Sequence, residues 1–252
     1  MANTIWVITG ANRGIGLGLV KTLLARPSTT IIGTVRNAAA ETSLKEEILC
    51  ISLGHNSVLH IVHLDFSTAL PAETITAAIT PLNLPHIDNL IANAGFSTPM
   101  TPTLTTTPSD LRACFETNTI APLLLFQALW PYLHKSRTGA PKFISISSSV
   151  GSIAAQEPMP GGAYGPSKAA LNWLTRALHF QHEKDGLVAF ALHPGWVQTR
   201  MGDLVARDWE YPKGPPETVE GSVVGILGVV DGASREKSGG KFLTYTGEEL
   251  PW

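Results

Sequence analysis

The stretch Ile5-Trp6-Val7-Ile8-Thr9-Gly10-Ala11-Asn12-Arg13-Gly14-Ile15-Gly16 decides the fold of this 252-residue chain. Its first four residues form a compact apolar run, which predicts a buried strand. A turn containing Gly10, Gly14 and Gly16 follows, and Leu17 to Leu24 has the apolar spacing of a helix. A strand, a glycine-rich turn and a helix in this order predict a phosphate cradle, because the glycines permit close backbone approach and the helix N-terminus receives a pyrophosphate.

The next predicted strand, Thr30 to Val35, indicates which dinucleotide this cradle takes. An acid at the end of that strand holds the ribose 2′-hydroxyl of NAD, whereas an arginine accommodates the 2′-phosphate of NADP. Here the strand ends in Arg36-Asn37, and no acid occurs before Glu41. Arg13, in the glycine turn, could reach the same phosphate. Either arginine could instead be a solvated loop residue, but their two positions together favour NADP.

Strands and helices alternate along the rest of the chain. Further strands are predicted at Val58 to Leu64, Asn89 to Ala92, Lys142 to Ile146, Leu187 to Leu192 and Lys241 to Leu243. Helices are predicted at Glu41 to Cys50, Ala72 to Leu82, Ser109 to about Trp130, Ala163 to His182 and Val219 to Val230. With no internal repeat and no domain boundary, this order predicts a single-domain α/β Rossmann-type fold over residues 1–252. Its doubly wound parallel sheet has about seven strands and helices on both faces.

Ligands of such sheets bind at the carboxyl ends of the strands. Gly10, Asn93, Ser148 and Pro194 all follow strands at that edge. Asp65 also closes a strand, where it either accepts from an adenine amino group or caps a turn. Asn118, a poor helix former inside a predicted helix, is either a satisfied structural amide or part of a site.

Tyr164 and Lys168 are placed one helical turn apart in Gly162-Ala163-Tyr164-Gly165-Pro166-Ser167-Lys168. This spacing puts both side chains on one helix face. Both the positive end of the helix dipole and a nearby ammonium favour a phenolate, so we expect a lowered tyrosine pKa. A tyrosine of this kind can hand a proton to a carbonyl oxygen. The alternative is a surface tyrosine and lysine with helical spacing, which is common.

Composition limits the other classes of function. Hydrophobic residues make up 44% of the chain and the formal net charge is −2, so neither disorder nor a nucleic-acid or membrane partner is expected. Cys50 and Cys114 stand in unrelated contexts, which predicts neither a disulfide framework nor a metal site. No signal peptide or long apolar run is recognised, and a cytoplasmic location is expected.

Taken together, the motifs resemble those of the classical short-chain dehydrogenase/reductase family, in the family's order and over nearly the whole chain. The matching pieces are Thr9-Gly10 with Gly14-Ile15-Gly16, Asn93-Ala94-Gly95, Asn118, Ser148, Tyr164 with Lys168, and Pro194-Gly195-x-Val197-x-Thr199. Ser-Ser-x-x-Gly, His-Pro-Gly-Trp-Val and Gly-Glu-Glu-Leu-Pro-Trp also resemble sniffer-like carbonyl reductases and fungal norsolorinic acid ketoreductase-like proteins. The insert Ala155 to Pro160 is longer than in many members. Ser149 therefore remains an alternative to Ser148.

The resemblance implies a role for each matching residue. Tyr164 would be the general acid, Ser148 would hydrogen bond the substrate carbonyl, and Lys168 would bind the nicotinamide ribose and lower the tyrosine pKa. Asn118 would hold a water in a proton relay to Lys168. The residues implied to bind NADP are Gly10, Asn12, Arg13, Gly14, Ile15, Gly16, Arg36, Asp65, Asn93, Ala94, Gly95, Tyr164, Lys168, Pro194, Gly195, Val197 and Thr199. Members associate through helices beside the active site or remain monomers, so a homodimer or homotetramer stays open.

The resulting prediction is an NADPH-dependent ketone or aldehyde reductase that acts on a bulky, apolar, aromatic or polyketide-like carbonyl compound. Residues 196–217 would form a mobile substrate lid, with residues 200–217 irregular. Substrate contacts would come from Ser148, Tyr164, Trp196, Met201, Trp209 and Tyr211. An imine or enone reductase and a non-catalytic NADP-binding regulator are the alternatives. The intact Ser, Tyr, Lys and Asn argue against the regulator, because a binding module needs no proton donor.

Overall fold

The computed structural model describes residues 3–252. Its strands are β1 (Thr4–Thr9), β2 (Thr29–Val35), β3 (Val58–His63), β4 (Asn89–Ala92), β5 (Lys142–Ile146), β6 (Val188–His193), β7 (Phe242–Thr244) and β8 (Glu249–Leu250). They form an eight-stranded sheet in the order β3-β2-β1-β4-β5-β6-β7-β8. The strand order reverses between β1 and β4, which opens a crevice at their carboxyl ends.

The doubly wound parallel sheet predicted from the sequence is confirmed, with one strand added. β1 to β7 pair in parallel with their neighbours, and β8 pairs antiparallel with β7. The two residues of β8 carry too little periodicity to predict a strand. Pairing of Leu243 with Glu249 across a short turn places β8 at the sheet edge.

Helices cover both faces of the sheet. They are α1 (Gly14–Leu24), α2 (Ala38–Ile48), α3 (Ala72–Ile79), α4 (Pro108–Phe115), α5 (Ala121–Leu133), α6 (Tyr164–Gln181), α7 (Arg200–Asp208) and α8 (Val219–Asp231). Alternate residues of β1 enter different cores: Ile8 packs in the core beneath α1 and α8, and Val7 in the core beneath α3 and α5. Among residues 3–252, no helix is long and apolar enough to cross a bilayer.

The prediction that residues 200–217 are irregular is wrong for its first half, where α7 forms. Thr199 caps this helix by accepting from the Gly202 N–H at 3.1 Å. Val205 and Ala206 bury the inner face of α7. Glu210, with a φ of 50°, lies just beyond the helix. A threonine cap followed by apolar residues at helical spacing predicts this helix. The prolines and the glycine that follow it favour irregular structure only in the second half of the segment.

The long helix predicted from Ser109 to about Trp130 is interrupted. A π-helical turn, Glu116–Ile120, separates α4 from α5. In this turn the Ala121 N–H bonds to the Glu116 carbonyl, five residues back. Such insertions are common at functional sites, and this one contains Asn118.

Candidate functional site

The glycine positions of the turn after β1 are unsuited to larger residues. Gly10 and Gly14 have φ angles of +67° and +53°, which favour glycine. A Cβ at Gly16 would lie 2.2 Å from the Gly10 carbonyl oxygen and 2.6 Å from Asn93 Nδ2. Asn93 Nδ2 also donates to the Thr9 carbonyl at 2.8 Å, so Asn93 holds the turn closed from the neighbouring strand end.

The first turn of α1 is open to an anion. Arg13 precedes the helix without a side-chain cap, and the first turn contains no acid. The leading N–H groups of a helix lack intrahelical partners, and the helix dipole is positive there. Asn12 lies in the glycine turn before the helix, and Ile15, in the first turn of α1, packs partly buried against the core. The turn can therefore receive a phosphate group through its backbone.

The side chains predicted to select the cofactor lie beside this turn. Arg36 is exposed at the end of β2. Partial burial lowers the pKa of Arg13, and the charges of Arg36 and Arg200 lower it further. Asp65 Oδ1 accepts from the Ser67 hydroxyl at 2.7 Å and from the Ser67 N–H at 3.0 Å, and these bonds lower the pKa of Asp65. Asp65 thus forms a turn, as one of the two interpretations of the sequence expected.

Tyr164 and Lys168 lie together at the start of α6. Tyr164 is 8% exposed, and the Lys168 Nζ lies 5.5 Å from the centre of its ring. The lysine donates to the Ile146 carbonyl at 2.8 Å, and burial lowers its pKa to about 8. The expectation of a lowered tyrosine pKa is wrong for this arrangement. Burial raises the pKa of Tyr164, outweighing the opposing hydrogen bond with Ser148, so the phenol is neutral at pH 7.

The three consecutive serines have different partners. The Ser148 hydroxyl accepts from the Val150 N–H at 3.3 Å, and its effect of lowering the pKa of Tyr164 places it near the phenol. Ser147 Oγ donates to Asn172 at 2.6 Å, and Ser149 Oγ donates to Glu157 at 2.7 Å. Of the three serines, Ser148 is therefore the one that acts on the phenol of Tyr164, whereas Ser149 is bonded to Glu157.

His193 lies beside these serines but is a poor proton donor at neutral pH. Its Nδ1 accepts from the Ser149 N–H at 3.2 Å. Burial lowers the pKa of His193 to about 4, so its ring is neutral at pH 7.

Asn118 is fully buried within the π-helical turn and is a satisfied amide. Its Nδ2 donates to the Phe96 carbonyl at 2.8 Å and to Ser167 Oγ at 2.9 Å, and its Oδ1 accepts from the Phe96 N–H at 2.8 Å. A Cβ at Gly95 would lie 3.6 Å from Asn118 Oδ1 and 3.9 Å from Lys168 Nζ. Gly95, Asn118 and Lys168 are therefore neighbours, as the motifs predicted.

The turn after β6 faces the glycine turn. The Pro194 carbonyl accepts from Ser222 at 2.6 Å, and Gly195 lies against Glu217 and Tyr245. Val197 forms a bridge with Glu217. Thr199 Cγ2 would lie 3.2 Å from a Cβ at Gly14, so the beginnings of α1 and α7 are adjacent.

An apolar cluster covers Tyr164. Met100, Tyr164 and Val205 form its buried centre, and its partly buried members are Val150, Trp196, Met201 and Trp209. Tyr211 is 44% exposed and lies on the outer side, with its ring 5.0 Å from that of Trp196.

Two hydrogen bonds hold residues 196–217 over the cluster. Asp208 accepts from the Met100 N–H at 2.7 Å, and the Trp209 indole donates to the Pro160 carbonyl at 2.9 Å. The segment is therefore in contact with the loop before α4 and with the insert before α6.

Sequence reasoning missed three contributors to this region. Val205 belongs to α7, where the spacing of Met201, Leu204 and Val205 could have indicated the helix. Met100 and Glu157 lie in loops, where no periodicity signals a contact. Only the folded chain places Met100 over Tyr164 and Glu157 beside Ser149.

Known proteins are similar to this chain in sequence and fold over nearly its whole length. The short chain dehydrogenase family model matches residues 4–209. A norsolorinic acid ketoreductase of Dothistroma septosporum is 38% identical over 99% of this chain and 92% of its own. The NADPH-bound carbonyl reductase from chicken fatty liver has a TM-score of 0.81 at 33% identity, covering 100% of both chains. The carbonyl reductase Sniffer of D. melanogaster has a TM-score of 0.85 at 28% identity, again covering 100% of both. These matches confirm the resemblance seen in the motifs: the chain belongs to the short-chain dehydrogenase family.

Proposed function

We propose that this protein is an NADPH-dependent carbonyl reductase that reduces a bulky, apolar ketone or aldehyde. The observation that carries the proposal is the buried, neutral phenol of Tyr164, which lies one helical turn from Lys168 and close enough to Ser148 for that hydroxyl to oppose the rise of its pKa. A neutral phenol is the form that a proton donor needs in the direction of reduction. His193 is neutral and accepts a hydrogen bond, so it is a poor competitor for the role of proton donor.

The glycine turn and its arginines fit NADPH. The turn excludes a Cβ at Gly16, and the N–H groups of α1 are free of side-chain caps. Arg36 and Arg13 stand where a 2′-phosphate would lie, and the solved chicken carbonyl reductase contains NADPH. When bound, the cofactor supplies the hydride.

Each catalytic side chain has a distinct role in the proposal. Ser148 donates to the substrate carbonyl oxygen and stabilises its developing charge. Tyr164 donates its phenolic proton to the same oxygen. Lys168 holds the nicotinamide ribose and, when charged, stabilises the phenolate that remains.

The remaining residues of the site position these groups. Because the side chain of Asn118 is fully bonded to protein, any water in a proton relay must use its backbone carbonyl or the second lone pair of Oδ1. Thr199 fixes the nicotinamide-side turn against Gly14.

The cofactor preference is testable through Arg36. We expect Arg36→Ala to weaken NADPH binding at least tenfold, because a charge-assisted hydrogen bond to a phosphate is worth roughly 1.5–3 kcal/mol. NADH binding should hardly change. Calorimetric titration of both cofactors measures this. Arg137→Ala is the control, because Arg137 is exposed before β5, on the side of the sheet where the parallel strands begin rather than end. Equal dissociation constants for NADPH and NADH in the native protein would contradict the assignment.

The substrate preference follows from the apolar cluster over Tyr164. Trp196 and Trp209 pack edge to face with ring centres 5.7 Å apart, and Met201 packs beside them. Aromatic faces favour planar ligands, and methionine adapts to irregular shapes. We infer that residues 196–217 open to admit a large carbonyl compound and close again over Tyr164.

We expect Trp209→Ala to reduce the preference for a large ketone over a small one by roughly tenfold, because it removes an aromatic contact and the tether to Pro160. Tyr211→Ala, on the outer side, should reduce it less. The ratio of kcat/KM for a naphthyl ketone and acetone measures this, with Trp173→Ala as the control because Trp173 is 70% exposed on α6.

Hydrogen exchange of residues 196–217 should slow when NADPH and a naphthyl ketone are bound together. If both lid variants keep the native preference and the ligands leave the exchange unchanged, residues 196–217 are not a lid.

A further inference from the structure

We propose that Arg200 binds the diphosphate of the cofactor and so couples cofactor binding to the position of α7, the helix that covers Tyr164. The inference rests on the proposed binding of NADPH at the glycine turn. The sequence indicated Arg13 and Arg36 as ligands of the 2′-phosphate. The present inference adds Arg200 as a ligand of the diphosphate.

The first argument is position. Gly14 is the first residue of α1, and the methyl group of Thr199 would lie 3.2 Å from a Cβ placed there. Thr199 caps α7, and Arg200 is the first residue of that helix. The guanidinium group therefore starts from a backbone position adjacent to the turn in which a diphosphate would lie.

The second argument is charge. Arg13 lies within electrostatic reach of both Arg36 and Arg200, and each lowers the pKa of Arg13 beyond the effect of its partial burial. The ion pairs formed within residues 3–252 involve other cations, such as Lys21 with Glu47 and Arg26 with Asp231. Asp203, one turn along α7 from Arg200, is not ion paired with it either. Arg36 also acts on the Asp65 carboxylate, whereas neither Arg13 nor Arg200 forms an ion pair within residues 3–252.

Arginines within electrostatic reach of one another repel until an anion joins them. NADPH carries a diphosphate and a 2′-phosphate, and guanidinium groups bind phosphate oxygens in pairs. Its phosphate groups can neutralise the charges of all three arginines, whereas a single surface carboxylate cannot.

The backbone positions of the arginines assign the phosphates. Arg36 stands at the end of β2, where a ribose 2′-phosphate is read. Arg200 directly follows Thr199, the cap residue that lies beside Gly14, and it acts electrostatically on Arg13. Arg200 therefore faces the diphosphate, which NADPH and NADH share, rather than the 2′-phosphate, which distinguishes them.

The consequence concerns the substrate pocket. The helix that begins with Arg200 carries Met201 and Val205 of the apolar cluster over Tyr164. Asp208, the last residue of this helix, holds the Met100 N–H. An anion that fixes Arg200 thus also fixes the helix that closes over the reacting carbonyl.

The test compares Arg200→Gln with Arg207→Gln, which removes the same charge from an exposed position in the last turn of the same helix. Calorimetry gives dissociation constants for NADPH, NADH and ADP-ribose. We expect Arg200→Gln to weaken all three about tenfold, and Arg207→Gln to change each less than twofold. Hydrogen exchange of α7 should slow on binding of NADPH to the native protein and much less in Arg200→Gln.

Three results would overturn the inference: a change below twofold for Arg200→Gln, a change equal to that of Arg207→Gln, or a loss confined to NADPH. Each leaves the proposed function intact. A native protein that binds no NADPH would contradict the proposed function and this inference together.

Discussion

Tyr164→Phe should lower the rate of carbonyl reduction at least about a hundredfold, because positioned acids contribute roughly 10²–10⁴-fold. In the proposed mechanism the buried, neutral phenol of Tyr164 is the proton donor. Affinity for NADPH should stay within about threefold of native, since the proposed ribose contact belongs to Lys168. Steady-state rates with an aryl ketone and a parallel NADPH titration measure both effects.

Tyr132→Phe is the matched control, because it removes a hydroxyl group from α5, away from Tyr164. It should keep the native rate. Retention of more than a few per cent of the native rate in Tyr164→Phe would assign the proton donor to another group. A loss of NADPH affinity as large as the loss of rate would show that the substitution disturbs the cofactor site.

Gly16→Ala should nearly abolish NADPH binding, with a loss of about a hundredfold or more. The added Cβ would lie 2.2 Å from the Gly10 carbonyl oxygen and 2.6 Å from Asn93 Nδ2, so the backbone of the turn must move. Misplacement of a binding group by about 1 Å can cost on the order of 10²-fold. The free energy of unfolding should also fall by about 1–3 kcal/mol, as expected for overpacking. Calorimetry and urea unfolding measure the two losses.

Gly228→Ala is the control for this substitution. Gly228 lies inside α8, and a Cβ there would meet nothing within 4 Å. Alanine should raise the free energy of unfolding by about 0.4–1 kcal/mol and leave NADPH affinity unchanged. Native NADPH affinity in Gly16→Ala would show that the closed turn is not the phosphate cradle.

The apolar patterns of the sequence predicted most of the fold, because strands buried on both faces of a parallel sheet must be continuously apolar. Ile5 to Ile8 are buried on both faces of β1, which is why a continuous apolar run identified this strand. The Thr199 cap, in contrast, was overlooked, and α7 was predicted as irregular. Prolines and a glycine farther along the chain dominated that prediction.

The candidate site was less predictable, because its chemistry depends on burial. Helix position and a nearby lysine both predicted a lowered pKa for Tyr164, yet removal from water outweighs them and raises it. The spacing to Gly151 favoured Ser148 but left Ser149 as an alternative. The contact of Ser149 with Glu157 arises from the folded insert before α6 and leaves Ser148 facing the tyrosine.

Transfer of deuterium from NADPH deuterated at the nicotinamide C4 tests the central proposal most directly. The native protein is incubated with each C4 epimer and an aryl ketone, and the product is analysed by mass spectrometry and NMR. We predict an alcohol with one deuterium on the carbinol carbon, delivered from one epimer only. Deuterium on a saturated C–C bond or on an amine carbon, or no consumption of NADPH with any carbonyl compound, would contradict it.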